Sequence, residues 1–222
     1  MNNKWPKVAI IILNWNGWKD TIECLESFQR ITYPNYQIII VDNGSTDDSV
    51  KRIREKFPRL TLIETGRNLG YAGGNNIGIK HALENGAKYI LIVNNDTKVV
   101  NPEFVNQMVG VMESDSTLGI LGPKVLNFKG QIQDTILYIP MLSSCLRESF
   151  RLRFRAKKSR DYRAAQLVDA VSGVCWFIRS DIINAVGLLD EDYFMYAEEL
   201  DYCYRVKKAG WEIMYYLSLI HI

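Results

Sequence analysis

Five apolar residues run unbroken into a polar triplet at Tyr89-Ile90-Leu91-Ile92-Val93-Asn94-Asn95-Asp96-Thr97. A run this rich in β-branched side chains forms a strand buried on both faces, as parallel strands between helix layers are. The triplet then falls at the strand's carboxyl end, the edge where open α/β sheets bind ligands. Asn94 and Asp96 stand two apart, so an extended chain would direct both side chains the same way. An amide and a carboxylate aimed together are hard oxygen ligands, suited to a divalent cation carrying phosphates. Asn-Asp equally opens a turn, and the triplet alone leaves both readings open.

Two earlier runs share the pattern: Val8–Leu13 ends at Asn14-Trp15-Asn16-Gly17, and Gln37–Val41 ends at Asp42-Asn43-Gly44-Ser45. Helical patterns separate these strands, near Lys19–Gln29, after a Ser45-Thr46-Asp47-Asp48 cap to about Lys56, from about Tyr71 to Glu84, and over Pro102–Glu113. With a short strand at Leu60–Glu64, the alternation predicts βαβ units and a parallel sheet, an α/β fold. The pattern changes after Gly122. Short strand-like pieces fill Pro123–Ile139, and order returns at Leu167–Ile178, a helix to Val186, a helix at Glu198–Lys208 and a strand at Trp211–Tyr216.

At 222 residues the chain has room for one large domain with a sizeable core. A net charge of +2 implies no nucleic-acid partner. Between Arg147 and Arg163, eight Lys or Arg stand against Glu148 and Asp161, a local +6 that leaves about −4 for the remainder. Cys24, Cys145, Cys175 and Cys203 show no CxxC pairing and no metal-finger spacing, which predicts reduced, mostly buried thiols in a cytoplasmic protein. The apolar run Val8–Leu13 is too short for a signal peptide's core, and none approaches the ~20 residues that span a bilayer.

Chemistry-bearing residues cluster in three further places. Strand ends at Asn14, Asn16, Asp42 and Asn43 present amides and a carboxylate toward one edge, where Asp42 could accept from a base imide or a ribose. The glycine-rich element Asn68-Leu69-Gly70-Tyr71-Ala72-Gly73-Gly74-Asn75-Asn76-Ile77-Gly78 follows a strand and opens a helix. It suits a ligand approaching free amides, or equally a helix packed close on a sheet. It is neither GxGxxG nor a P-loop. Near the end, Tyr193, Phe194 and Tyr196 precede the adjacent Glu198 and Glu199. Helix-dipole preference and an Asp201–Arg205 pair account for much of that charge, but not for the aromatic cluster. A partly desolvated carboxylate there can act as a general base.

In this order the blocks VAIIILNWNG, VDNGSTDDS, NLGYAGGNNIG, LIVNNDT and GLLDEDYFMYAEELDYCYR resemble the family 2 glycosyltransferases, in particular the rhamnosyltransferase-like branch. The resemblance runs from about Lys7 to Tyr216. It implies a GT-A fold: a Rossmann-like, mostly parallel central sheet with helices on both faces and a smaller, mixed acceptor-side sheet. Residues 1–122 would bind the nucleotide sugar and 123–216 the acceptor, within a single domain spanning 1–222. The implied activity is inverting transfer of a sugar from a nucleoside-diphosphate donor, dTDP- or UDP-linked, to a glycan or lipid-linked acceptor in cell-envelope polysaccharide synthesis. By position Asp42 looks like a base contact, and Asn94-Asn95-Asp96 is similar to the DxD element, with Asp96 as ligand of Mg²⁺ or Mn²⁺. The implied donor contacts also take in Asn14, Asn16, Asn43, Asn68, Gly70, Gly74 and Asn75.

The catalytic base falls on Glu199, where the family usually has Asp, with Glu198 in reserve. Past the last strand, Leu217–Ile222 departs from the family's continuation and reads as a truncated or foreign tail, although His221 could stand in for a metal-binding His. The basic and apolar alternation over 146–163 is expected to contact anionic lipid or a lipid diphosphate at the membrane's inner face. A sugar nucleotidyltransferase would need a glycine-rich loop with a basic residue after the first strand, where Asn14-Trp15-Asn16-Gly17 stands. A binding module without activity is the other alternative, kept by the departures at Asn94 and Glu199.

Overall fold

The computed structural model describes residues 5–139 and 161–221. Strands β1 (Val8–Asn14), β2 (Tyr36–Asp42), β3 (Thr61–Glu64) and β4 (Tyr89–Asn94) pair in parallel in the order β3-β2-β1-β4. Helices α1 (Trp18–Phe28), α2 (Ser49–Lys56) and α3 (Gly70–Glu84) make the crossovers. After β4 come a short β5 (Lys98–Val99), helix α4 (Phe104–Ser114) and β6 (Leu118–Leu126). β7 (Ile136–Leu137), β8 (Gln166–Val168), β9 (Ala170–Val171) and β10 (Cys175–Arg179) follow, then α5 (Ser180–Val186), α6 (Glu198–Lys208) and β11 (Glu212–His221).

β10 inserts between β4 and β6 and runs antiparallel to both. β11 lies parallel to β6, and its other edge is covered by β8 and β5, both antiparallel. The acceptor-side strands expected to form a smaller sheet therefore mostly extend the main one, and β7 pairs separately with β9.

Burial on both faces explains the unbroken apolar runs. In β1, Val8, Ile10 and Ile12 pack with Cys24, Leu25 and Phe28 of α1 and Phe104 and Met108 of α4. Ala9 and Ile11 point the other way, toward the layer of Ala72 and Ile79 of α3, Ile182 of α5 and Tyr202 of α6. All five are 0% exposed, and each large aliphatic so buried stabilises by about 1.5–3 kcal/mol. Helix α3 lies close on this sheet because its glycines leave room: a Cβ at Gly74 would stand 2.5 Å from Leu13 Cδ1, and one at Gly78 2.6 Å from Ile11 Cγ2.

Two strands run further than the sequence pattern indicates. β6 passes straight through Gly122-Pro123, where Gly122 makes space for Val171. β11 does not stop at Tyr216 but continues to His221, after a register shift between Tyr216 and Leu219, because β6 and β5 take up its backbone groups. Residues 217–221, part of the segment that departs from the family's continuation, lie within β11 of the main sheet. Arg179, only 7% exposed, joins these parts from inside. Its guanidinium donates to the carbonyls of Leu118 (3.0 Å), Met112 (2.6 Å) and Asp115 (3.2 Å), satisfying the open end of α4 with a cation.

Candidate active site

The carboxyl ends of β1 and β2 are joined by a buried polar cluster. Asp42 Oδ1 accepts from Asn14 Nδ2 (2.8 Å) and Ser45 Oγ (2.6 Å), and Oδ2 accepts the Ser45 amide (3.0 Å). The Thr21 hydroxyl donates to Asn14 Oδ1 at 2.8 Å, tying α1 to the same cluster. Asp42 is 2% exposed and Asn14 0%, so both lie beneath the surface at these strand ends. A carboxylate offers about four lone-pair positions, which leaves one on Asp42 for a donor. Ser45, expected as part of the α2 cap, is drawn to Asp42 instead, and Asp47 accepts the Ser49 amide at the helix start. Asn16 adopts a left-handed φ of 52°, which its short side chain tolerates, and its Oδ1 accepts the Thr46 amide at 2.8 Å.

At the end of β4 the extended conformation does not persist. The Thr97 amide donates to the Asn94 carbonyl (3.2 Å), closing a turn over Asn95 and Asp96. The Asn95 side chain leaves the crevice for the first turn of α1, donating to Thr21 Oγ1 at 3.1 Å. Asp96 is exposed at this turn. Partial desolvation by its surroundings, and then the charge of Asp20, raise its carboxyl above the ordinary range. Asn94 is held from β10, its amide donating to the Val174 carbonyl at 3.0 Å.

The glycine-rich element packs α3 close on the sheet, one of the two roles its sequence allows. Asn43 accepts the Leu69 amide (3.0 Å) and donates to Asn68 Oδ1 (3.1 Å) and the Gly70 carbonyl (3.0 Å), while Asn68 Oδ1 also accepts the Gly70 amide (2.8 Å). The Tyr71 amide donates to the Phe194 carbonyl at 2.9 Å. The amides that open α3 are therefore engaged by the protein itself. Gly70 has φ +74°, and a Cβ there would collide with that same Phe194 carbonyl. Asn75 is fully buried; its Nδ2 donates to the Tyr71 carbonyl (3.0 Å), and its Oδ1 has no partner among the described residues.

Glu198 and Glu199 open α6. The residues before them, Tyr196 and Ala197, take left-handed φ values of 69° and 72°, a strained approach for side chains with a Cβ. Glu198 is 5% exposed and Glu199 half-buried. Each has a buried Oε2 without a partner among the described residues. Burial, and then the adjacent Glu199, raise the Glu198 carboxyl above the usual range. Just before the two glutamates in the chain, Tyr193, Phe194, Met195 and Tyr196 are all exposed. The Asp201–Arg205 pair is present at 2.7 Å, and Arg205 also donates to the Val186 and Leu188 carbonyls.

Sequence reasoning did not single out Asn76 or Tyr71. Asn76 Nδ2 donates to the Leu189 carbonyl and to Glu191 Oε1, both at 2.9 Å, and its Oδ1 accepts the Leu189 amide. Helix α3 thereby clamps the loop that leads to Glu198. An amide two places beyond the glycine pair was the available signal, but its partner lies 113 residues on.

Among the described residues no three His, Cys, Asp or Glu side chains gather as a metal-holding set. A divalent ion that arrives with a diphosphate needs only one or two protein carboxylates. Exposed Asp96, with Asp20 close enough to perturb it and the Asn94 side-chain amide outside every hydrogen bond of the described residues, fits that lesser requirement. The backbone of His221 pairs with Lys98, two positions past Asp96; its side chain lies outside what is described. So do residues 140–160, which hold most of the basic segment 146–163. No described helix is long and apolar enough to cross a membrane.

Known proteins share both sequence and fold. The chain is 26% identical over 209 residues to the hexosyltransferase Agl10 of low-salt glycan biosynthesis in Haloferax volcanii, covering 91% of this chain and 62% of that one. It is 27% identical over 207 residues to the N-acetylglucosaminyl-diphospho-decaprenol L-rhamnosyltransferase of Mycobacterium tuberculosis, covering 86% of this chain and 67% of the relative. The chain thus spans about two thirds of the length of these relatives. A mannosyltransferase from Pyrobaculum calidifontis, solved with GDP-Man and Mn²⁺, superposes with a TM-score of 0.71 at 17% identity, over 99% of this chain and 57% of that structure. The family profile described as glycosyl transferase family 2 matches residues 9–187, and the chain belongs to that family.

Proposed function

We propose that this chain transfers a sugar, with inversion, from a nucleoside-diphosphate donor to an acceptor hydroxyl in the synthesis of a cell-surface glycan. The carrying observation is the pair Glu198–Glu199: two adjacent carboxylates at one helix start, each with a buried oxygen that has no partner among the described residues, directly after the exposed run Tyr193–Tyr196. The relatives' names, a hexosyltransferase and a rhamnosyltransferase, support a hexose or rhamnose donor. The lipid-linked acceptor named in the second relative supports an acceptor of that class.

Glu199 is the general base. It is the less buried of the two, so an acceptor can reach it, and its carboxylate takes the hydroxyl proton as the new glycosidic bond forms. Glu198, buried behind it, supports it. Asp96 and Asn94 hold Mg²⁺ or Mn²⁺, which when bound neutralises charge on the departing diphosphate. His221 is the reserve ligand. Asp42, through its remaining lone pair, and Asn16 face the nucleoside, while Asn14, Asn43, Asn68, Gly70, Gly74 and Asn75 hold the strand ends and α3 around it. The segment 146–163 docks on anionic lipid, and liposomes with and without anionic lipid test this by pelleting.

Thermal shifts with UDP, dTDP and GDP, each with and without Mn²⁺, identify the nucleotide; a ligand at a hundredfold its Kd adds ~2.7 kcal/mol. Asp96→Ala and Glu199→Gln should each lower transfer at least ~10²-fold, and Asp96→Ala alone should weaken metal-dependent nucleotide binding. Unchanged binding in Asp96→Ala would falsify its metal role. If the wild-type chain releases no nucleoside diphosphate from any donor with Mn²⁺, the chain is a binding module instead.

A further inference from the structure

We infer that Tyr71 is a positioning residue that sets the distance between the Glu198–Glu199 carboxylates and the Asn94–Asp96 turn; this rests on the transferase reading above. Its contacts run to both places. The Tyr71 amide donates to the Phe194 carbonyl at 2.9 Å, and Phe194 lies in the loop that delivers Glu198. The Tyr71 hydroxyl donates to the Gly173 carbonyl at 2.6 Å. The next residue, Val174, accepts the Asn94 amide at 3.0 Å. One residue therefore links the approach to the base, through its backbone amide, with the strand end that carries the candidate metal ligands, through its hydroxyl.

The link is stiff. α3 cannot slide on the sheet, because Gly74 and Gly78 already bring it to contact with Leu13 and Ile11. Asn75 grips the Tyr71 carbonyl at 3.0 Å from one turn further along. The Phe194 loop cannot swing freely either, since Asn76 holds Leu189 and Glu191. Burial, then the charges of Glu198 and Glu199, push the ionisation of the Tyr71 hydroxyl well above the ordinary tyrosine range. Tyr71 thus stays a neutral donor while the neighbouring base works. A Cβ at Gly173 would stand 3.3 Å from the Tyr71 oxygen, close enough that the hydroxyl would have to shift by a few tenths of an ångström.

The test uses Tyr71→Phe, which keeps the ring and removes the hydroxyl, with Gly173→Ala as an independent way to displace it. Nucleoside diphosphate release from a UDP- or dTDP-sugar with Mn²⁺ gives kcat and donor KM without an identified acceptor. Misplacing a reacting group by about 1 Å can cost ~10²-fold, so kcat should fall ~10- to 100-fold in Tyr71→Phe and in the same direction in Gly173→Ala. Donor KM and the thermal shift with UDP or dTDP should stay within about twofold, since the nucleotide-side contacts are intact. Wild-type kcat in both variants overturns the inference. So does a parallel loss of kcat, nucleotide shift and melting temperature, which marks a merely structural tyrosine. A wild-type chain that releases nothing overturns the transferase reading itself, and this inference with it.

Discussion

Asn14 lies under the crevice with both ends of its amide in use, and its replacement should be costly for a reason specific to Asp42. Asn14→Ala removes the donor 2.8 Å from Asp42 Oδ1 and the acceptor of the Thr21 hydroxyl. A hydrogen bond to a carboxylate is worth ~1.5–3 kcal/mol, and at 2% exposure water cannot replace it. Thr21 keeps its second bond, to the Gly17 carbonyl at 3.0 Å, so its share is the ordinary ~0.5–1.5 kcal/mol. Together the loss is ~2–4.5 kcal/mol, or roughly 5–15 °C in Tm for a chain of this size. Asn14→Asp separates hydrogen bonding from packing. It keeps the shape but sets a second acceptor against Asp42, so at neutral pH it should destabilise at least as much as alanine. That deficit should shrink as pH falls and one carboxyl of the pair takes a proton. Urea unfolding of both variants at about pH 5 and pH 8 gives the numbers. An Asn14→Asp variant as stable as wild type at the higher pH, or an alanine loss below ~0.5 kcal/mol, refutes the account.

Two glycines in helices should respond oppositely to alanine. Gly74→Ala drives a methyl toward Leu13 and Asn43 and should cost ~1–3 kcal/mol, whereas Gly110→Ala in α4, with nothing within 4 Å, should gain ~0.4–1 kcal/mol; thermal melts of the two decide. Glu198 binds its proton more tightly in the folded chain than at its ordinary 4.5, so the native state holds the extra proton between those values and stability falls as pH rises through that window. Glu198→Gln removes this loss, and its stability relative to wild type should improve from about pH 4 to pH 8 when chemical denaturation is compared at both. An equal difference at both pH values would show that Glu198 is unperturbed.

Much of the architecture of the first half is legible in the sequence because it depends on local pattern. β1, β2 and β4 are apolar runs that end where the polar residues begin, and α6 spans Glu198–Lys208 as its charges and Gly210 indicate. What escaped depends on distant partners. The purpose of Gly70 is a carbonyl at Phe194, and that of Gly78 is Ile11, and neither is visible within a window around the glycines. Arg179 looks like any basic residue at a helix start until three carbonyls from α4 and β6 converge on it. The continuation of β11 to His221 is decided by the open edges of β6 and β5, not by residues 217–221 themselves. At the candidate site, Asp96 and the glutamate pair stand out in the sequence by residue type alone. That Asn95 turns away and that Glu198 is the more buried glutamate required the fold.

The antiparallel strand between β4 and β6 has a consequence for how the chain is made. β4 acquires its outer neighbour only when Cys175 arrives, 81 positions after Asn94. At a synthesis rate of about 5–20 residues per second, the nascent chain carries an unpaired edge of Tyr89–Asn94 for roughly 4–16 s. This is one of its most apolar segments, and an open edge of that kind recruits other chains. A chain ending near Gly122 keeps that edge open permanently. The half that carries the Asn94–Asp96 turn should therefore aggregate when expressed alone, and the later half acts as its intramolecular cover before it contributes any chemistry.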